Sequence, residues 1–287
     1  MKSISPKYKG ILLIVASAFC FAFMNAFVRM AGALPATQKS FFRNLVALGI
    51  AIVMFSREAK DFSLPKGTLL PLFLRSAFGT IGILCNYYAI DHLVLSDASM
   101  LNKMSPFFTI VFSWLLLKEK LRPVQGLAVL TAFAGSLLIV KPSLDFSNFK
   151  GSLAGLCGGI AAGAAYSMVR ILGNKGVNKT FIVLCFSGFS CFCMLPFLIF
   201  DFHSMTIGQL LALIGAGCAG AGGQFTITAA YCCAPAKEIS VYDYTNILFT
   251  AAWGLIAFSE MPDALSICGY IIIIAMAILK WRQNINS

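Results

Sequence analysis

The chain has 287 residues, of which 59% are apolar and only 11% charged, with a mean hydropathy of +0.84. Soluble domains carry about 25% charged residues, so these charges are too few to cover a water-facing surface, and a soluble globular protein is excluded. The formal charge of +11 would suit a nucleic-acid partner, but the placement of the basic residues rejects that reading.

A helix crossing the bilayer core needs roughly 20 mostly apolar residues. Reading along the chain predicts ten such spans, at residues 10–29, 39–56, 69–90, 95–117, 124–141, 151–170, 180–200, 207–232, 238–258 and 264–280. The connections are short, as antiparallel neighbours in one bundle require. Only residues 57–67 read as an ordinary polar loop. The first span has a basic flank (Lys2, Lys7, Lys9), but its apolar run is longer than a signal-peptide core and more spans follow at once, so it is read as a retained helix. The chain is therefore expected to form a single all-α membrane domain over residues 1–287.

Lys and Arg alternate in density from loop to loop. With the N-terminus inside, the inner loops and ends hold fifteen of them, while the outer ones hold Arg29, Lys39, Lys141 and Lys150. The positive-inside rule then predicts a multi-pass inner-membrane protein with both termini in the cytoplasm. The basic excess is topological, and no nucleic acid is expected as a partner. Most of the ten cysteines lie in spans, and neither Cys191-Phe192-Cys193 nor Cys232-Cys233 has zinc or redox spacing. No metal or cofactor is expected.

Shifting the sequence by 141 residues lays one half on the other. Gly10 meets Gly151, Val28-Arg29 meets Val169-Arg170, and Gly32 meets Gly173. Gly79 meets Gly220, Gly82 meets Gly223 and Ala89 meets Ala230. Asp97 meets Glu238, Ser99 meets Ser240, Phe108-Thr109 meets Phe249-Thr250, and Glu119 meets Glu260. The predicted repeats are residues 1–142 and 143–287. Each holds five spans, an odd number, so the second must enter the membrane inverted. Inverted repeats are a transporter architecture with the substrate near the midplane between the halves.

The chain resembles the EamA-type proteins of the drug/metabolite transporter superfamily. The resemblance is carried by Tyr87-Tyr88-Ala89-Ile90, Ser96-Asp97-Ala98-Ser99-Met100, Ser105-Pro106-Phe107-Phe108, Leu117-Lys118-Glu119-Lys120-Leu121, Gly126 and Ala134-Gly135. It is carried more weakly by Ala230-Tyr231, Glu238-Ile239-Ser240 and Ser259-Glu260, with Ile247 in place of the proline. It implies ten helices in two inverted five-helix repeats and alternating access. It also implies a central cavity lined by spans 1–4 and 6–9, with the fifth and tenth spans peripheral and available for a homodimer. A fold shared by so many substrates does not identify one.

Intramembrane charges are costly enough to mark function. Lys103 and Asp243 lie well inside the fourth and ninth spans and almost coincide under the repeat, Asn102-Lys103 falling on Asp243-Tyr244. They are the leading substrate-binding candidates, the alternative being a structural pair. Arg43 lies a few residues into the second span and joins them. Asn25, Asn86, Tyr87, Tyr166, Gln224, Tyr242 and Asn246 could complete a cavity or serve as interhelical hydrogen-bond glue. Arg29, Arg170 and Arg75 are read as anchors snorkelling to the interface, and Glu119 and Glu260 as helix-end contacts. The glycine-rich sixth and eighth spans are read as close-packing faces. Pro106 is expected to kink the fourth span.

No metalloprotease, nucleophile-elbow or phosphate-loop motif is present, so an enzyme is not expected and transport should be secondary. The expected activity is movement of a small polar metabolite, anionic or zwitterionic, across the cytoplasmic membrane, with protons or a counter-substrate as possible coupling partners. The alternatives are export of a neutral or cationic amphipathic compound, with Asp243 as counter-charge, and a non-transporting membrane component or intramembrane enzyme.

Overall fold

The computed structural model describes residues 5–58, 63–92, 101–119, 123–140, 149–258 and 263–285. Residues 96–100, Lys120, Lys141, Ser259 and Glu260 lie outside them. The ten long helices among the described residues are α1 (Pro6–Met30), α2 (Ala36–Glu58), α3 (Leu69–His92), α4 (Ser105–Leu117), α5 (Pro123–Val140), α6 (Phe149–Asn174), α7 (Lys179–Phe200), α8 (Ile207–Cys233), α9 (Thr245–Phe258) and α10 (Ala264–Ile285). Six of them, α1, α2, α3, α6, α7 and α8, are long and apolar enough to cross a bilayer; α4, α5 and the apolar part of α10 are shorter. The chain is an all-helical, multi-pass membrane protein.

The packing follows the sequence repeat. A shift of 141 residues carries α1–α5 onto α6–α10. It carries the extensive α1–α8 contact onto α3–α6, and α1–α9 onto α4–α6, while α2–α7 and α5–α10 map onto themselves. Small residues make these approaches possible. A Cβ on Gly223 would lie 2.7 Å from the ring of Phe21 in α1, and one on Gly217 would lie 2.5 Å from Val46 in α2. Helices in lipid associate through such backbone proximity because burial of apolar surface supplies no drive between them. The α5–α10 pair closes the same way, at Gly135 and Gly269, and lies to one side of the other eight.

The fourth and ninth spans are not continuous helices. Residues 101–102 are helical, Lys103 and Met104 form a turn, and α4 restarts at Ser105. Pro106 sits in its first turn, where its missing N–H costs nothing, so it begins a helix and does not kink one. In the other half a single helical turn, Ala236–Ile239, passes into a 3-10 segment, Ser240–Tyr244, before α9 begins. Under the repeat Lys103-Met104 falls on Tyr244-Thr245, so the two breaks adjoin and overlap at Tyr244.

The largest buried cluster lies from mid-bundle to the end that holds both chain termini. It joins Ile11 and Ile14 early in α1 to Leu172 late in α6, Ile182 early in α7 and Ile227 and Tyr231 late in α8. Two smaller clusters sit toward the opposite end, around Ala31, Leu34 and Leu213 and around Phe41, Cys191 and Met194. There, Gln38 clamps the backbone of His203, donating to its carbonyl at 2.8 Å and accepting from its N–H at 2.9 Å.

Candidate functional site

The two breaks meet in mid-bundle. Unwinding the helix at Lys103 turns its backbone carbonyl out of the helical ladder, and Tyr244, its counterpart under the repeat, donates its hydroxyl to that carbonyl at 3.1 Å. The Lys103 ammonium donates to Asn246 Oδ1 at 2.6 Å, and Asn246 Nδ2 donates to the Ala18 carbonyl of α1 at 2.8 Å. One lysine therefore ties α4 of the first half to α9 of the second, and Asn246 relays that link to α1. Gly159 of α6 makes room, since a Cβ there would lie 2.6 Å from the Leu101 carbonyl oxygen.

Asp243 lies on the 3-10 segment close enough for the charge of Lys103 to act on it, but the two form no ion pair; the lysine donates to the amide of Asn246 instead. Tyr166 and Tyr231 stack beside Asp243 with centroids 5.1 Å apart, within reach of its charge. Tyr242 and Tyr244 are buried at 3% and 0% exposure. Gln224 is also buried, and its Nε2 has no hydrogen-bond partner among the described residues. Asn102 sits half-buried at the first break.

Three sequence candidates fall elsewhere. Asn25 is exposed on α1 and makes no hydrogen bond with a described residue. Asn86 is half-buried on α3, where its backbone N–H abuts Gly158 of α6, and Tyr87 is half-buried beside it. None of the three hydrogen-bonds to Lys103 or Asn246.

The arginines separate into two kinds. Arg170 does not snorkel: it pairs with Glu119 at 3.4 Å, both side chains only about 15% exposed, and donates to the Tyr231 and Cys232 carbonyls at the end of α8. Glu119 is thus a helix-end contact, whereas Glu260 lies outside the described residues. Arg75, read from sequence as an interfacial anchor, is 2% exposed. Its guanidinium lies over the Phe186 ring at 4.2 Å and 6.0 Å from the Tyr166 centroid, and its head rests on Gly79, one turn further along α3. Arg43 is 7% exposed against Gly220 and Met24, close enough for its charge to act on Arg75. The available signal for Arg75 was the glycine four residues on, which leaves the space its side chain fills.

The EamA-like transporter family matches residues 8–141. The pseudopaline exporter CntI of Pseudomonas aeruginosa (strain UCBPP-PA14) is 34% identical over 278 residues, 96% of each chain. Human solute carrier family 35 member G1 is 26% identical over 304 residues, covering 96% of this chain and 80% of that one. A solved crystal structure superposes with a TM-score of 0.83 at 14% identity, over 96% of this chain and 98% of that one, a likeness that concerns the fold alone. The relationship to the exporter over almost the full length, together with the family match, makes this chain a member of the EamA-like transporter family.

Proposed function

We propose that this transporter moves a small anionic or zwitterionic metabolite by alternating access of two inverted five-helix halves, 1–142 and 143–287, with both termini cytoplasmic. One observation carries the reading: the helix breaks of the two halves, which overlap at Tyr244 under the repeat, come together around Lys103, Asn246 and Asp243. Broken helices in a bilayer are tolerated where they line a cavity, and transporters bind their substrates at such breaks near the midplane. Asp243 forms no ion pair with a described cation, so its carboxyl group is available to a substrate amine or a proton.

The main buried cluster and the Arg170–Glu119 pair both lie toward the termini-bearing end, which supports a conformation closed on the cytoplasmic side. The relative named as an exporter supports outward movement. With no nucleotide-binding motif in the sequence, the energy comes from a gradient of protons or of a counter-substrate.

Purified protein in liposomes tests the reading. Lys103→Ala should abolish uptake without unfolding the protein, and Asp243→Asn should remove the pH dependence of transport while sparing binding. Normal transport by both variants would make these residues structural. So would a Lys103→Ala/Asp243→Ala double variant that restores what each single change destroys.

A further inference from the structure

The charges inside the membrane do not balance. Of the eleven Asp and Glu residues in the chain, only Asp243 falls more than one helical turn inside a predicted span, against Arg43, Arg75 and Lys103. Lys103 is bonded to Asn246 and lies in the field of Asp243. Arg43 and Arg75 have neither an ion pair nor a hydrogen bond with any described residue, and the Arg75 Nε is buried without a partner. Two like charges act on each other across the α2–α3 side of the bundle, in surroundings where an unneutralised cation is costly.

The backbone is shaped around them. A Cβ on Gly79 would collide with Arg75 Nη1, and a Cβ on Gly220 would stand 3.0 Å from Arg43 Nε. These two glycines are counterparts under the 141-residue repeat, so each half opens one small space and each space holds one guanidinium. Arg75 also has an aromatic support. Phe186 at 4.2 Å supports its guanidinium without engaging an N–H group as a hydrogen-bond donor, and those groups lie in the guanidinium plane, along its edge. That edge is the one with which a guanidinium takes an oxyanion in a forked, two-bond contact.

We infer that Arg43 and Arg75 together form the receptor for an oxyanion group, carboxylate or phosphate, carried by the transported metabolite. The inference rests on the transporter reading above and adds a second pole to it. The oxyanion end of the substrate neutralises the arginine pair, while the other end faces Asp243 and Lys103. Both guanidinium groups are closed off in the present conformation, so the anion enters in the state that parts α2 and α3 from α7 and α8.

The test uses the full-length purified protein and three probes: succinate, inorganic phosphate and the neutral isostere succinamide, at matched ionic strength. At least one oxyanion should raise the melting temperature of the wild type saturably, as a ligand of the folded state must, and succinamide should not. A shift with succinate alone assigns a carboxylate, with phosphate alone a phosphate, and with both a receptor that accepts either. Arg43→Gln and Arg75→Gln should weaken the apparent affinity at least tenfold, whereas Arg43→Lys and Arg75→Lys should keep part of it. Should a Gln variant fail to fold, its Lys variant decides: retained oxyanion response supports the receptor, and response to succinamide equal to that of succinate refutes it. The receptor is overturned if neither oxyanion shifts the wild type, or if the Gln variants respond as the wild type does. Liposome assays keep the two levels apart. Wild-type protein that moves no metabolite of a broad panel refutes transport. Transport that proceeds unchanged in both Gln variants refutes the receptor alone.

Discussion

Gly159→Ala is the smallest change that reaches the Lys103 centre without touching it. The new Cβ would lie 2.6 Å from the Leu101 carbonyl oxygen and 3.4 Å from Met104 Cβ. Ordinary contact begins near 3.4 Å, so the backbone before α4 must retreat by about 0.8 Å, a shift that a close-packed interior resists. The Tyr244 hydroxyl reaches the Lys103 carbonyl at 3.1 Å, and the same retreat would carry it past hydrogen-bond range. Overpacking costs about 1–3 kcal/mol and the lost hydrogen bond about 1 kcal/mol, together about 2–4 kcal/mol. Gly49→Ala in α2 and Gly126→Ala in α5 are matched controls, because a Cβ at either meets nothing within 4 Å and Ala gains about 0.5–1 kcal/mol over Gly inside a helix. Thermal unfolding of the three purified variants should therefore place Gly159→Ala roughly 5–15 °C below the controls, taking about 2–4 °C per kcal/mol. A Gly159→Ala protein that melts with the controls would show that α6 does not hold the break in place.

Three further outcomes follow from single contacts. Replacing Glu119 by Gln and Arg170 by Gln, singly and together, should give a coupling of about 1 kcal/mol in a double-mutant cycle read by thermal unfolding; additive effects would mean that the 3.4 Å pair holds nothing. Gln38→Ala removes two hydrogen bonds to the His203 backbone and should cost about 1–3 kcal/mol, with faster proteolysis of the 201–206 connection; unaltered cleavage would show that this clamp does not order the loop. Reporter fusions after Ser287 and in the 57–67 loop should read cytoplasmic and one after Phe202 external, as the Lys and Arg bias requires, and an external C-terminus would overturn the orientation.

Sequence alone determined the class, the ten spans and which helices correspond. These follow from one-dimensional quantities, apolar run length and a constant offset, and neighbours change neither. The same offset laid Asn102-Lys103 on Asp243-Tyr244, one residue away from pairing the two charges. It could not say that Lys103 would bond Asn246 instead of Asp243, because that depends on how two helices from opposite halves approach.

Only the tertiary structure decided where the spans break. Pro106 drew the expectation of a kink, yet the unwinding falls at Lys103 and Met104, and the second half breaks at Ser240–Tyr244 with Ile247 where the proline would be. The break is set by Gly159 admitting the Leu101 carbonyl and by Tyr244 satisfying that of Lys103, contacts from helices distant in sequence. Burial was equally illegible. Arg75 and Arg170 are both arginines near a span end, but one lies over Phe186 of α7 and the other pairs with Glu119. In a span that is apolar on every side, no periodicity marks the face that meets protein, so only the packing of α3 against α7 and of α6 against α4 and α8 tells the two apart.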